Sequence, residues 1–299
     1  MPHARLVSWL ALLLLAGCSV RKIALRSVAD ALSSSSTSSF AQDEDLGLVG
    51  DAVPFALKLM ESIAQELPEH QGLRLSLASG FTQYGMVWVQ WPAEQRKYED
   101  FAAYKAGLDR ARAFFLRARS HALQGMELAH PGFSERLASS PERALEGCDA
   151  ADVPQLYWLS ASWLAAISNA REDPEMIGQL PTVAVLVRGA LALDEDWDRG
   201  AIHELLISLE PALPPAGGAE RARQHFARAV ELSGGLRASP YVSLATGVEI
   251  DAQDRAAFQR LLEQALAVDP TARPEERLAS EYSRAKARFL LDHLDDLFI

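Results

Sequence analysis

The residues best equipped for chemistry are Asp198, Arg199, His203 and Glu204, which lie within LDEDWDRGAIHELLISLEP at 193–211. An imidazole followed by a carboxylate suggests a zinc protease, but that pattern needs a second His four positions after the first, on the same helix face. Position 207 is Ile, so the motif fails. Asp198 and Glu204 are the other possible acid/base pair. A turn aspartate serves equally well as a helix cap, and Asp198 stands where it would cap a helix running from Arg199. Gly217-Gly218 and Gly234-Gly235 lack the Lys-Ser/Thr and the preceding strand of a phosphate-cradling loop. Ser162 and Ser208 lack nucleophile-elbow glycines. Cys148 has no His or basic residue beside it in sequence to lower its pKa, and reads as an unreactive loop thiol. The expectation is therefore no catalytic residue, no metal and no cofactor, with the 198–204 cluster serving as a structural corner or a ligand- or partner-facing surface.

That corner must be held by helices. Upstream, Val183 to Leu193 is apolar and helical; downstream, Ala201 to Leu209 continues after the acidic turn. Amphipathic segments recur along the chain, and no alternating strand-like run competes with them. Phe55, Leu59, Ile63 and Leu67 mark one face of a first helix, stopped by Pro68. Leu73 to Gln90 is apolar nearly all round and predicts a helix inside the array with neighbours on both sides, ended by Trp91-Pro92. Ala93 to Gly107 reads as an insertion, Leu108 to Leu128 as a helix, and the stretch to Ala151 as loop. Asp152 is placed to cap a helix over LYWLSASWLAAIS. Pro211, Pro214, Pro215, Gly217 and Gly218 mark a firm break before Glu220 to Leu232. The last helix, Arg277 to Phe298, carries alternating charges like a terminal cap.

Two helices share the register Ala-x-x-x-Phe-x-x-Ala, at Ala111/Phe115/Ala118 and Ala222/Phe226/Ala229. The alanines let two helices of a hairpin close in, and the Phe fills the gap between them. This is the second-helix signature of tetratricopeptide units, and the fold class expected is all-α, a tetratricopeptide-like helix-hairpin solenoid spanning 46–299. Within it Tyr84, Trp88, Trp91, Tyr157, Trp158, Trp163 and Trp197 are core or, for Tyr84, Trp88, Trp158 and Trp163 in particular, the lining of a ligand channel or concave face.

Composition narrows the partners. Twenty-nine basic against forty acidic residues give a net charge of −11, with no basic stripe, which argues against nucleic acid. The N-terminus pairs His3 and Arg5 with an apolar run, Leu6 to Leu15, too short to span a bilayer, and then Leu15-Ala16-Gly17-Cys18. This is a lipobox. Residues 1–17 are expected to be a signal peptide, Cys18 the lipidated residue, and 18–45 an anchor, short helix and Ser-rich tether. Ser19, where an Asp would direct inner-membrane retention, points to the periplasmic face of the outer membrane in a Gram-negative cell. With Cys18 lipidated, Cys148 has no partner for a disulfide.

The lipobox followed by VADAL, then VPFALKLMESI, LASGFTQYGMVWVQ, DVPQLYWLSASWLAAIS, LDEDWDRGAIHELLISLEP and ERARQHFARAVELSGGLRASPYVS, together resemble the TatT family of TRAP-transporter-associated tetratricopeptide-type lipoproteins, over nearly the whole of 18–298. The resemblance implies a lipid-anchored periplasmic helical protein that forms a homotrimer and binds the transporter's periplasmic solute-binding subunit. It also implies passage of a small hydrophobic ligand through a pore in each protomer. A general lipidated scaffold for outer-membrane assembly or secretion is the alternative that the same residues allow.

Overall fold

The computed structural model describes residues 21–33 and 39–298, and every regular element in them is a helix. The leader, Cys18 and most of the Ser-rich stretch lie outside the described residues. α1 covers residues 21–33, and α2 is Ser39–Gln42. α3 (Leu46–Glu66) starts at Asp45, whose carboxylate accepts from the amides of Gly47 and Leu48. α4 is Gln71–Tyr84. It continues through a π-helical stretch, Gly85–Gln90, into α5, Trp91–Glu94. α6 (Phe101–Ala129) is the longest helix, followed by the short α7 (Phe133–Ser139) and α8 (Pro141–Ala144). Then come α9 (Val153–Ser168), α10 (Pro174–Ile177), α11 (Leu180–Leu193), α12 (Ala201–Leu209) and α13 (Gly218–Ser233). α14 (Ser239–Leu244), α15 (Arg255–Ala267), α16 (Arg277–Asp292) and α17 (Leu294–Leu297) complete the chain.

Long helices pack mainly on their sequence neighbours: α3 on α4, α4 on α6, α6 on α9, α9 on α11, α12 on α13 and α15 on α16. The Ala-Phe-Ala registers do what their spacing requires. Ala111, Phe115 and Ala118 are fully buried on α6, and Ala222 and Ala229 are buried on α13 with Phe226 packed beside them. α4 lies between α3, α6 and α9, as its all-round apolar surface demands. The two ends of the array meet, however. α16 packs on α2 and α3, and Phe289 and Tyr282 on α16 meet Trp91 edge-on at 5.1 and 6.4 Å. Lys286 reaches Glu94 at 3.2 Å. α16 thus closes against helices near the start of the described residues, where its charges suggested a solvent-facing cap.

Five local expectations are corrected. Pro92 does not end its helix. Its missing N–H and its ring would disrupt a regular α turn, and the wider π turn immediately before it accommodates both, so the helix runs on to Glu94. The supposed insertion is mostly helix, since α6 begins at Phe101 on an Asp100 cap. Phe55 and Leu59 are exposed, at 74% and 41%, while Ile63 and Leu67 are buried. A four-residue spacing advances about 40° per step around a 3.6-residue helix, so three steps carry Phe55 off the face that Leu67 occupies. Finally, the stretch taken as loop between Pro131 and Ala151 holds α7, α8 and a 3₁₀ turn at Ala150–Asp152. Its amide groups are met locally: Glu127 accepts from Gly132 and Ser134, and Asp149 and Asp152 form a reciprocal capping box. Asp152 therefore braces the 3₁₀ turn and does not cap α9.

Candidate functional site

The 198–204 cluster sits at the corner between α11 and α12. Asp198 and Arg199 have left-handed backbones (φ 44° and 54°), and Gly200 follows at φ 91°, so three successive residues turn the chain before α12 begins. Gly200 is required twice over. Besides its φ, a Cβ there would lie 3.2 Å from the Ala229 backbone, where α13 crosses. Asp198 consequently caps nothing. Its carboxylate takes a 2.7 Å bond from Arg237, whose other contacts are the Asp198 carbonyl and Glu276. Arg199 pairs with Glu275 and Glu276 at 3.2 and 2.9 Å. Burial works against the charge on Arg237, but the Glu276 and Asp198 carboxylates outweigh it and hold the guanidinium firmly protonated.

His203 and Glu204, adjacent in sequence, serve different partners. His203 is buried at 5% exposure, with its Nδ1 2.8 Å from Nδ1 of His225 on α13 and its Nε2 3.2 Å from Glu195. Burial depresses both imidazole pKa values, and their mutual repulsion depresses His225 further. Glu204 accepts a 2.9 Å bond from Ser239 on α14, and burial raises its carboxyl against the pull of Arg237. Asp198, His203 and Glu204 are thus tied to three separate partners and do not converge on one reacting position.

The aromatics form separate groups. Tyr84 stacks on Trp88 at 6.0 Å and meets Phe114 edge-on, and the Trp88 indole donates to the Leu46 carbonyl. Tyr157, Trp158 and Trp197 make a second cluster. Trp163 lines a cavity of about 190 Å³ bounded by α6, α7, α9 and α11. Its indole donates to Gln179, and the Arg119 guanidinium lies 3.6 Å over its ring. Arg119 has no ion-pair partner among the described residues; its Nε is buried without a hydrogen bond, and burial alone lowers its pKa. Ser134, Thr182, Leu123, Leu137 and Ala138 complete the wall. The space thus offers one uncompensated cation, two hydroxyls and an apolar flank.

A third group could not be read from sequence spacing. His130 at the end of α6, Cys148 after α8 and Asp152 before α9 place one donor atom each within 4.8 Å of one another. His130 Nε2 lies 2.8 Å from Asp152 Oδ2. Folding thus supplies Cys148 with the histidine neighbour its flanking residues lacked. The thiol is nevertheless pushed up to about 11, first by burial and then by the Asp152 charge, with Arg136 opposing.

The comparisons with known proteins extend over the same helices. The profile of the TRAP transporter T-component family matches residues 42–298. An uncharacterized protein of Treponema pallidum (strain Nichols) is 28% identical over 306 residues, covering 96% of this chain and 95% of that protein. The matched span takes in α3 through α17, including the corner, the Arg119–Trp163 cavity and the closing contact of α16, and on that extent the chain belongs to the TRAP transporter T-component family.

Proposed function

We propose that this chain is the non-enzymatic, lipid-anchored periplasmic accessory of a TRAP-type uptake system, that it docks the system's periplasmic solute-binding protein, and that it channels a small, largely hydrophobic ligand. The observation that carries the reading is the family match across residues 42–298. Its helices act as tetratricopeptide-like hairpins, and the working form is a homotrimer held to the periplasmic face of the outer membrane through Cys18.

Two features of the helices support a binding role. On α3, Leu48, Phe55 and Leu59 are exposed at 61%, 74% and 41%. Their spacings of seven and four residues keep them within about 40° around the helix, one apolar stripe free of intramolecular cover. The cavity against Trp163 suits a small ligand whose body lies on Leu123, Leu137 and Ala138 and whose polar end meets Arg119.

The test is direct association. The purified chain mixed with the solute-binding protein of its own TRAP system should form a complex at micromolar concentrations in sedimentation velocity. Phe55→Glu with Leu59→Glu should abolish the complex and leave the circular dichroism unchanged. No association at those concentrations, with pull-downs returning outer-membrane assembly or secretion components, would overturn the proposal.

A further inference from the structure

The fold brings an imidazole, a thiol and a carboxylate together from three segments that are remote in function from the α3 stripe and the Trp163 cavity. We infer that His130, Cys148 and Asp152 form a transition-metal site, with Zn²⁺ the natural occupant. Nitrogen, sulfur and oxygen donors of this kind make up three-ligand zinc sites, which leave the fourth tetrahedral position to water or to a ligand atom. A thiolate selects against Mg²⁺ and Ca²⁺, which take oxygen donors.

The frame that holds the three donors is rigid before any ion arrives. His130 closes α6 with its amide on the Met126 carbonyl; Cys148 follows α8 with its amide on Leu145. Asp152 is fixed by the capping box with Asp149, whose amide donates to Asp152 Oδ2 at 3.0 Å. The side chains of His130 and Asp152 are only 18% and 15% exposed, so little ordering remains to be done on binding. The adjustment needed is small. At metal–ligand bonds of about 2.0–2.3 Å, tetrahedral ligand atoms lie roughly 3.3–3.6 Å apart; the His130–Asp152 pair opens from 2.8 Å, and the sulfur closes from within 4.8 Å. Asp152 also borders a cavity of about 140 Å³, with Gln71 and Gln155 on its wall, which gives the fourth position room for water. Charge around the site comes from Asp149 and Arg136, one of each sign.

Binding balances in protons. Zn²⁺ replaces the Cys148 S–H proton, which is released to solvent, and the His130 ring proton shifts to Nδ1 so that Nε2 can bond the metal. Asp152 Oδ1 or Oδ2 supplies the third bond.

The experiment uses the full chain carrying Cys18→Ser, which leaves Cys148 as its one thiol. Titration of chelator-treated protein with Co²⁺ should give the intense visible bands of a tetrahedral site and a near-ultraviolet thiolate-to-cobalt band, both erased by one equivalent of Zn²⁺. Cys148→Ser should remove the near-ultraviolet band, and His130→Gln should weaken Co²⁺ binding by about tenfold or more. Since either substitution could disturb the turn, the rate of Cys148 alkylation is measured in the same parent chain, where saturating Zn²⁺ should slow it at least about tenfold. Octahedral cobalt spectra, spectra unchanged by Cys148→Ser, or alkylation indifferent to Zn²⁺ would overturn the site.

Discussion

Glu210 offers the sharpest test of how the corner is held. It is 2% exposed, and its two oxygens are divided: Oε1 accepts from Arg188 on α11 at 2.7 Å, and Oε2 accepts from Arg221 on α13 at 2.5 Å. Arg221 also reaches the carbonyls of Leu213, Pro215 and Ala216, which ties the Pro-rich break to the same carboxylate. Glu210→Gln keeps the shape and places an NH₂ against one guanidinium, so one charge-assisted bond is lost and a donor–donor contact replaces it. A hydrogen bond to a charged group contributes about 1.5–3 kcal/mol, and a cost of about 2–3 kcal/mol follows. For a domain of this size that is a Tm drop of roughly 4–6 °C. The arginines should cost less, because their charges retain solvent: Arg221 is 30% exposed and Arg188 53%. Arg188→Ala leaves Arg221 on the carboxylate but strips Oε1 of its donor in a buried site, so it should cost about 1–2 kcal/mol, with Arg221→Ala in between. Urea unfolding followed by circular dichroism measures all three. A Glu210→Gln effect below about 0.5 kcal/mol, or an Arg188→Ala effect larger than it, would refute this account of the buried carboxylate. The pH dependence gives a second check. Burial pushes the Glu210 carboxyl up, but Arg188 and Arg221 more than offset it and hold it below the usual range. Its contribution is then present above the unfolded carboxylate pKa of about 4.3 and lost as pH falls through the depressed folded value.

Three further outcomes are expected. Burial lowers the pKa of His203 and of His225, so the unfolded chain binds protons first and stability should fall as pH drops below about 6.5; His225→Leu should flatten that part of the Tm–pH curve, and an unchanged slope would count against the pair. Gly200→Ala puts a Cβ at φ 91° and 3.2 Å from the Ala229 backbone, and should cost about 2 kcal/mol or more in chemical unfolding. Arg119→Met keeps the stem over Trp163 and removes the cation, so it should change stability by less than about 1 kcal/mol. The same variant should weaken uptake of an anionic hydrophobic probe into the cavity in equilibrium dialysis; equal binding by both proteins would detach Arg119 from ligand recognition.

How much of this was legible in the sequence depended on how local the determining physics is. The helical class and the buried alanines at 111, 118, 222 and 229 followed from spacing, because each depends on contacts within one or two turns or between two packed helices. Boundaries failed where a local rule had a structural remedy. Pro92 is a helix stop only while the turn before it stays α-helical, and nothing in GMVWVQ announces a π turn. Asp198 looks like a cap until Arg237, 39 positions away, claims its carboxylate. His225 and Arg237 completed the corner from other elements, and Arg119 became a candidate only when packing left its guanidinium on Trp163 with no ion-pair partner among the described residues. The His130–Cys148–Asp152 group was hidden for the same reason, its first two members lying 18 positions apart.

What sequence reading missed most consistently is one device used repeatedly: a buried glutamate paired with an arginine from a neighbouring helix. Glu61 on α3 takes Arg117 of α6, Glu210 takes Arg188 and Arg221, and Glu249, at the end of the π-helical stretch Ala245–Glu249 that follows α14, takes Arg223 of α13. The three carboxylates are 8%, 2% and 3% exposed. Apolar stripes with a drifting period can slide along one another by a turn, because dispersion and hydrophobic contact are not directional. A buried carboxylate cannot slide without leaving its guanidinium, and an unpaired buried charge costs more than the pair contributes. These pairs therefore fix how the paired helices sit in register while adding little net stability, as is needed where α16 must return to Trp91 and Glu94. On this argument, replacing Glu249 and Arg223 together by Leu and Met should leave the Tm within about 3 °C and weaken the Lys286–Glu94 closure, read as faster hydrogen exchange in α16. Loss of stability with unchanged exchange in α16 would show that the pair acts locally and that closure depends on apolar packing alone.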